Sequence, residues 1–209
     1  MISGPYYINL DHRTDRRQQV EAEFKRLGID SAIRFPAIYH TDGLTGCQIS
    51  HIMAIDDDPL KVDATWICED DIQILVDRVT LDLHIKEFME SDADILCLGG
   101  ASRRHEDYST NLLRSFDLQT TSSYIVKNKF KDALLILWNT TLNCRLYKTE
   151  NPYKDYFNLL NVNKGDPLAL DMSWKILQQS HIFVIPKTKC IVQRASYSDI
   201  EKQFVNYGT

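Results

Sequence analysis

Apolar residues in this chain gather in short runs, and between the runs they recur every three or four positions. Six runs read as buried strands: residues 5–10, 34–38, 64–68, 94–98, 122–126 and 182–186. The intervals carry helical spacing. Val20, Phe24 and Leu27 fall on one helix face, and Gly28 stands where a C-cap belongs. Further helices are predicted over 47–55, 82–89, 130–139 and 171–179, the first closed by the acidic loop Asp56-Asp57-Asp58-Pro59. Residues 100–111 are polar and read as a mobile loop, 148–168 as loop-rich, and the chain from Gln193 as a C-terminal tail. Strands alternating with helices predict a single α/β domain, a mostly parallel sheet flanked by helices. Ligands of such sheets bind beyond the carboxyl ends of the strands. That rule directs attention to residues 9–17, 69–71, 99–104 and the region after Pro186.

Composition narrows the picture. With 209 residues, 44% of them hydrophobic and 25% charged, the chain can bury a sizeable core as one domain. A formal net charge of -5 argues against a dedicated nucleic-acid binder, while a nucleotide site needs only a local basic patch. The five cysteines, Cys47, Cys68, Cys97, Cys144 and Cys190, form no CxxC pair, and Cys68 and Cys97 sit inside apolar runs. An odd, scattered set fits a reducing compartment. No apolar run approaches membrane-span length and no charged-then-apolar leader opens the chain. The expectation is a cytoplasmic protein without a membrane span.

The sharpest chemical feature is Trp66-Ile67-Cys68-Glu69-Asp70-Asp71-Ile72, three adjacent carboxylates at the mouth of an apolar strand. Such charges repel one another, and placing them there is costly without a cation. Oxygen ligands from a short turn, completed by phosphate oxygens and water, suit Mg²⁺ or Mn²⁺; the plainer alternative is a solvated acidic turn. A second feature is Tyr7-Ile8-Asn9-Leu10-Asp11-His12-Arg13-Thr14-Asp15-Arg16-Arg17. A strand that ends in Asn, Asp and Arg before a helix can hold an anion through backbone N–H groups and guanidinium forks. Equally, Asp11 or Thr14 can cap the helix and leave the arginines as surface charges.

Tyr7-Ile8-Asn9-Leu10-Asp11 with Arg16-Arg17, then Gly46-Cys47-Gln48-Ile49-Ser50-His51, then Glu69-Asp70-Asp71, then Gln193 with Ser198-Asp199-Ile200, resemble in order and spacing glycosyltransferase family 25. That family includes lipopolysaccharide and collagen galactosyltransferases. The chain is also similar to small glycosyltransferase domains that large algal viruses use on capsid glycans. The resemblance implies a GT-A fold, with residues 1–100 serving the nucleotide-sugar and 101–209 the acceptor. It implies transfer of a hexose from a UDP-sugar (galactose before glucose) to a glycan or glycoprotein acceptor, with inversion and with Mn²⁺ or Mg²⁺. Glu69-Asp70-Asp71 then matches the DxD element: Asp71 ligates the metal, and Glu69 and Asp70 face the ribose, the metal or a metal-bound water. Ile8, Asn9, Leu10, Arg13 and Arg16 hold the nucleotide.

An inverting transfer needs one general base beside the acceptor hydroxyl. Asp171, at the start of the 171–179 helix, is the candidate, with a plain N-cap as its alternative. His181 is a candidate late metal ligand, and Ser198 with Asp199 either closes over the diphosphate or caps a turn. Ser50 and His51 are as readily packed structural residues, and Arg103, Arg104 and His105 as readily a solvated loop. Trp66, Trp138 and Trp174 are expected in or near the core. Two other functions stay open: a non-catalytic nucleotide- or glycan-binding domain, which has no use for so many costly carboxylates, and a metal-dependent nucleotidyltransferase. The latter generally carries a glycine-rich triphosphate loop after the first strand, where this chain has a stretch without glycine.

Overall fold

A computed structural model describes residues 1–57, 62–159 and 165–206; Asp58 and Pro59 of the acidic loop and positions 160–164 of the loop-rich stretch lie outside the described residues. In chain order the elements are β1 (Ile2–Asn9), α1 (Thr14–Arg26), β2 (Ile33–Pro36), α2 (Gly43–Asp56), β3 (Ala64–Glu69), β4 (Ile72–Ile74), α3 (Arg78–Glu90), β5 (Ile95–Cys97), β6 (His105–Asp107), β7 (Leu112–Ser115), β8 (Ser123–Lys127), α4 (Asn128–Tyr147), α5 (Lys154–Leu159) and α6 (Leu170–Ser173). A 3₁₀ helix, Trp174–Gln179, continues α6, and β9 (Phe183–Pro186), β10 (Ile191–Gln193), β11 (Ser196–Ser198) and β12 (Gln203–Val205) complete the chain.

Eight strands form one sheet in the order β2-β1-β3-β8-β5-β9-β7-β6. The pairings β1–β2, β1–β3 and β5–β9 are parallel, and β8 and β7 run against their neighbours, so the other six strands point the same way. The alternation of strand side chains divides the core into two layers. Tyr6, Ile8, Ile67, Ile95, Cys97, Tyr124, Val126, Phe183 and Ile185 face α2, α4 and the 170–179 segment. Tyr7, Trp66, Cys68, Leu96, Ile125 and Val184 face α1 and α3. This is a single α/β domain with helices on both faces, as the alternating pattern predicted.

Several boundaries differ from the sequence reading. The polar 100–111 stretch holds β6, an edge strand exposed along its whole length, so its polarity marks a strand with no buried face rather than a loop. Residues 171–179 form one α turn and a 3₁₀ helix. The 130–139 helix extends to Tyr147, and the 148–168 stretch contains α5. The supposed C-terminal tail is not loose: β10 pairs with β4, and β11 with β12. Gly28 has φ +63 just beyond α1, the left-handed position that ends helices. No described helix is long and apolar enough to cross a membrane.

All three tryptophans are buried. Trp174 stacks on Trp138 at 6.2 Å, meets Tyr124 and Phe183 edge-on, and donates from its indole N–H to the Leu118 carbonyl at 2.9 Å. Trp174→Ala therefore removes a large buried side chain and one of the two hydrogen bonds to that carbonyl, the other coming from Gln178 at 3.1 Å. Urea unfolding should show a loss of about 3–5 kcal/mol.

Candidate active site

The acidic turn is built by three strands. β1 and β3 are parallel neighbours, so their carboxyl ends, Asn9 and Glu69, emerge side by side. Asp70 and Asp71 form the turn from β3 into β4, and β4 is tied to β10, with Arg194 N–H donating to the Asp71 carbonyl at 2.6 Å. Both side chains are buried, Asp70 at 7% exposure and Asp71 at 5%. Asp70 accepts from the Asn9 amide at 2.7 Å and from Arg16 Nη1 at 3.1 Å. Asp71 Oδ2 lies 3.3 Å from the same Arg16 nitrogen, while Asp71 Oδ1 is buried without a hydrogen-bond partner.

One guanidinium thus serves two buried carboxylates. Burial and the Glu69 charge, only partly opposed by Arg16, push Asp71 up to about 7. Burial also raises Asp70 against the pull of Arg16 and Asn9. Glu69 behaves differently. Burial pushes it up, but His51, Thr121 and Arg16 together hold it below its usual value.

The C-terminal segment closes the site from above. Arg16 Nη2 donates to Ser196 Oγ at 2.6 Å and to the Tyr197 carbonyl at 2.9 Å. Arg13 is clamped by Asp15 on one side and by Asp199 and the Tyr197 carbonyl on the other. The Ser198 hydroxyl accepts from Glu201 N–H at 3.1 Å, which is the turn-capping role. The opposite wall is α2. A Cβ on Gly46 would lie 2.7 Å from the Ile38 carbonyl, so only glycine lets this helix approach the loop after β2. That approach brings Cys47 and His51 to face Glu69. Ser50 is structural: its hydroxyl accepts from Ile38 N–H and donates to the Gly46 carbonyl.

Between these walls lies a cleft of about 910 Å³, counting the space that opens to solvent. Ile8, Leu10, Arg13, Arg16, Glu69, Asp70, Asp71 and Ser198 all line it, together with Ala37, Ile38 and Tyr39. These eight candidate residues thus meet at one mouth, with Ser50, His51 and Asp199 beside them. Of the residues proposed to hold nucleotide or metal or to act as base, Asn9, Asp171 and His181 do not line it. Asn9 sits behind the cleft with its amide spent on Asp70 and the Arg13 carbonyl and its oxygen held by Arg34 at 2.9 Å. It positions Asp70 rather than offering a free group to a nucleotide. Asp171 stands next to Glu69 on the far side, joined through the 120–121 turn: Thr120 N–H donates to Asp171 Oδ2 at 3.2 Å and Thr121 Oγ1 to Glu69 at 3.0 Å. Thr120 holds φ +80, a conformation disfavoured for a β-branched residue. Burial raises Asp171 above the ordinary carboxylate range.

His181 is the correction. It precedes β9 at the end of the sheet where β3 begins, 3.6 Å from Asp94 and against the Phe130 ring. The length of β3, roughly 16 Å at strand rise, separates it from the acidic turn, so it joins neither Glu69 nor Asp71. Two capping alternatives also fall away. α1 begins after Arg13 with no side-chain cap, and the N-cap of α6 is Ala169, not Asp171. Arg103, Arg104 and His105 are exposed at the far sheet edge and outside the cleft. Arg34, which locks Asn9, was missed; its signal was a lone charge inside the apolar 34–38 run.

No family model matches the chain, and no curated protein matches it by sequence. The family 25 resemblance therefore rests on its motifs alone. Among solved structures, the chain is similar to a glycosyltransferase involved in glycosylation of the major capsid of PBCV-1, at TM-score 0.49 and 11% identity over 96% of each chain. It is similar to A197 from STIV at 0.47 and 10%, covering 88% of this chain and 81% of that one. Mouse xyloside xylosyltransferase 1 gives 0.46 and 8%, over 87% and 71%. At this level of likeness nothing passes from those proteins to this one.

A carboxyl held near 7 in the fold and near 4 in the unfolded chain adds stability below about pH 4 that is lost as pH rises through about 7. In metal-free protein Asp71 should therefore contribute a loss of stability between about pH 4 and pH 7, and Asp71→Asn should remove that contribution from the slope. Urea midpoints across the range, in chelator, measure it; an unchanged slope in the variant rules out Asp71 as its source.

Proposed function

We propose that this chain is a metal-dependent glycosyltransferase that moves a sugar from a nucleoside diphosphate sugar to a glycan hydroxyl with inversion. One observation carries the reading: Asp71 Oδ1, buried in the cleft wall without a partner, beside two more carboxylates and a single shared guanidinium. A buried excess of negative charge around an unused oxygen fits a hard divalent cation. Asp71 and Glu69 would hold it, and bound there Mn²⁺ or Mg²⁺ supplies Lewis acidity to a diphosphate leaving group.

The chain's own residues supply the rest. Ile8, Leu10, Ala37 and Ile38 give the cleft an apolar wall against which a nucleobase and ribose can lie. Arg16, bonded to Asp70 and beside Asp71, fixes both carboxylates and keeps positive charge near the diphosphate. Arg13 and Asp199 hold the C-terminal segment over the cleft. Asp171 acts as the base: it takes the acceptor hydroxyl proton as the new glycosidic bond forms and the bond to the diphosphate breaks on the opposite face. Burial raises its affinity for a proton, the direction a general base needs. UDP as the nucleotide and galactose or glucose as the sugar follow from the family 25 resemblance.

Calorimetric titration with UDP, UDP-glucose, UDP-galactose and GDP-mannose, each with and without Mn²⁺, tests the donor site. Metal-dependent binding of one nucleotide series is expected, and binding of none by folded protein would sink the transferase reading. Asp71→Ala should abolish the Mn²⁺-dependent part of that binding, and full retention would remove Asp71 from the metal. Asp171→Asn should leave donor affinity nearly intact and slow transfer by about 10²–10⁴-fold. Unchanged transfer rates in that variant would rule it out as the base.

A further inference from the structure

Glu69 has a second set of neighbours besides the acidic turn. Cys47 and His51 are four residues apart on α2, hence on one helix face, and that face meets Glu69. The Cys47 thiol, a His51 ring nitrogen and a Glu69 carboxylate oxygen all lie within 4.8 Å of one another, and all three residues line the cleft. His51 is fully buried. Its ring stacks on Tyr124, and Nδ1 lies 3.0 Å from the Tyr124 hydroxyl. Nε2 makes no hydrogen bond and faces Glu69 Oε1 at 3.5 Å. Thr121 orients that same carboxylate.

We propose that Cys47, His51 and Glu69 form a binding site for a thiophilic divalent cation of the Zn²⁺ or Co²⁺ class, open toward the cleft. The donor set decides the class. A thiol and an imidazole suit borderline-soft ions and are poor ligands for Mg²⁺. Bonds of about 2.0–2.3 Å place tetrahedral ligand atoms roughly 3.3–3.7 Å apart, so the three groups need draw in by only about 1 Å. Tyr124 holds Nδ1 and leaves Nε2 for the metal, the outer-shell arrangement that orients ligating histidines. Three protein ligands leave one position for a water or substrate oxygen. The inference does not rest on the transferase reading. The two sites share Glu69 but otherwise use different ligands, Asp71 in one and Cys47 with His51 in the other.

Cobalt titration of the metal-free chain gives a readout independent of activity. A saturable thiolate-to-cobalt charge-transfer band is expected in the wild type. It should disappear in Cys47→Ser and persist in Asp71→Asn, which lacks only the hard-ion carboxylate. A wild type without the band, or a band surviving in Cys47→Ser, would leave His51 and Glu69 as a simple ion pair beside a thiol. Should Cys47→Ser fail to fold, alkylation of the wild type decides the matter by peptide mapping. Saturating Zn²⁺ should stop modification of Cys47, and modification at an unchanged rate would overturn the site.

Discussion

Burying several carboxylates at the carboxyl end of β3 is the constraint around which this molecule is arranged. Asp70 and Asp71 are almost wholly out of water, and each charge kept there needs compensation close at hand. The compensation comes from three distant parts of the chain. Asn9 reaches from the end of β1, Arg16 from the first turns of α1, and the 194–198 segment braces Arg16 and the turn's backbone. Glu23 extends the same logic. It is buried on α1, pairs with Arg194 and Arg26, and accepts from Ile74 N–H. The C-terminal segment is therefore part of the site's framework, even though only two small strand pairs lie in it.

That framework leaves an imbalance that is itself informative. Asn9, Arg13 and Arg34 use their polar groups on other protein atoms, whereas Asp71 Oδ1 and His51 Nε2 are buried in the cleft wall with no hydrogen bond. Arg16 Nε, a donor in the same wall, is likewise buried without a hydrogen bond. A fold that satisfied its polar groups for stability alone would have turned at least one arginine donor toward Asp71 Oδ1. The proposed cation site rests on the unpaired Asp71 oxygen.

The cleft's opposite wall depends on a packing detail, the missing side chain of Gly46. It sets α2 against the loop after β2, and Gln48 ties the other side of the helix to the Trp138 carbonyl and Thr141 on α4. α2 is thus clamped between sheet and helix, with polar side chains used as internal ties. This explains a helix in which Thr45, Gln48, Ser50 and His51 are all buried.

The alternation of apolar runs and helical spacing determined the α/β class and the two-faced sheet, because side-chain period alone decides which elements form and how many faces they bury. It also pointed to the candidate residues at strand ends, since polar residues that break an apolar run mark where a strand leaves the core. That Ile8, Leu10, Arg13, Arg16, Glu69, Asp70 and Asp71 would share one cleft was legible in this way, and Ser198 through the family 25 resemblance. Pairing was not. Short strands such as β4 and β10 carry too few residues to show a period, and they exist because each supplies the other's backbone hydrogen bonds. Only the folded chain decided that Asn9 faces inward to Asp70, that Arg13 grips the C-terminal segment, and that Cys47, His51 and Glu69 converge. It also decided that His181 lies at the wrong end of the sheet. Those outcomes depend on strand direction and helix rotation, quantities that long-range packing sets and local sequence does not carry.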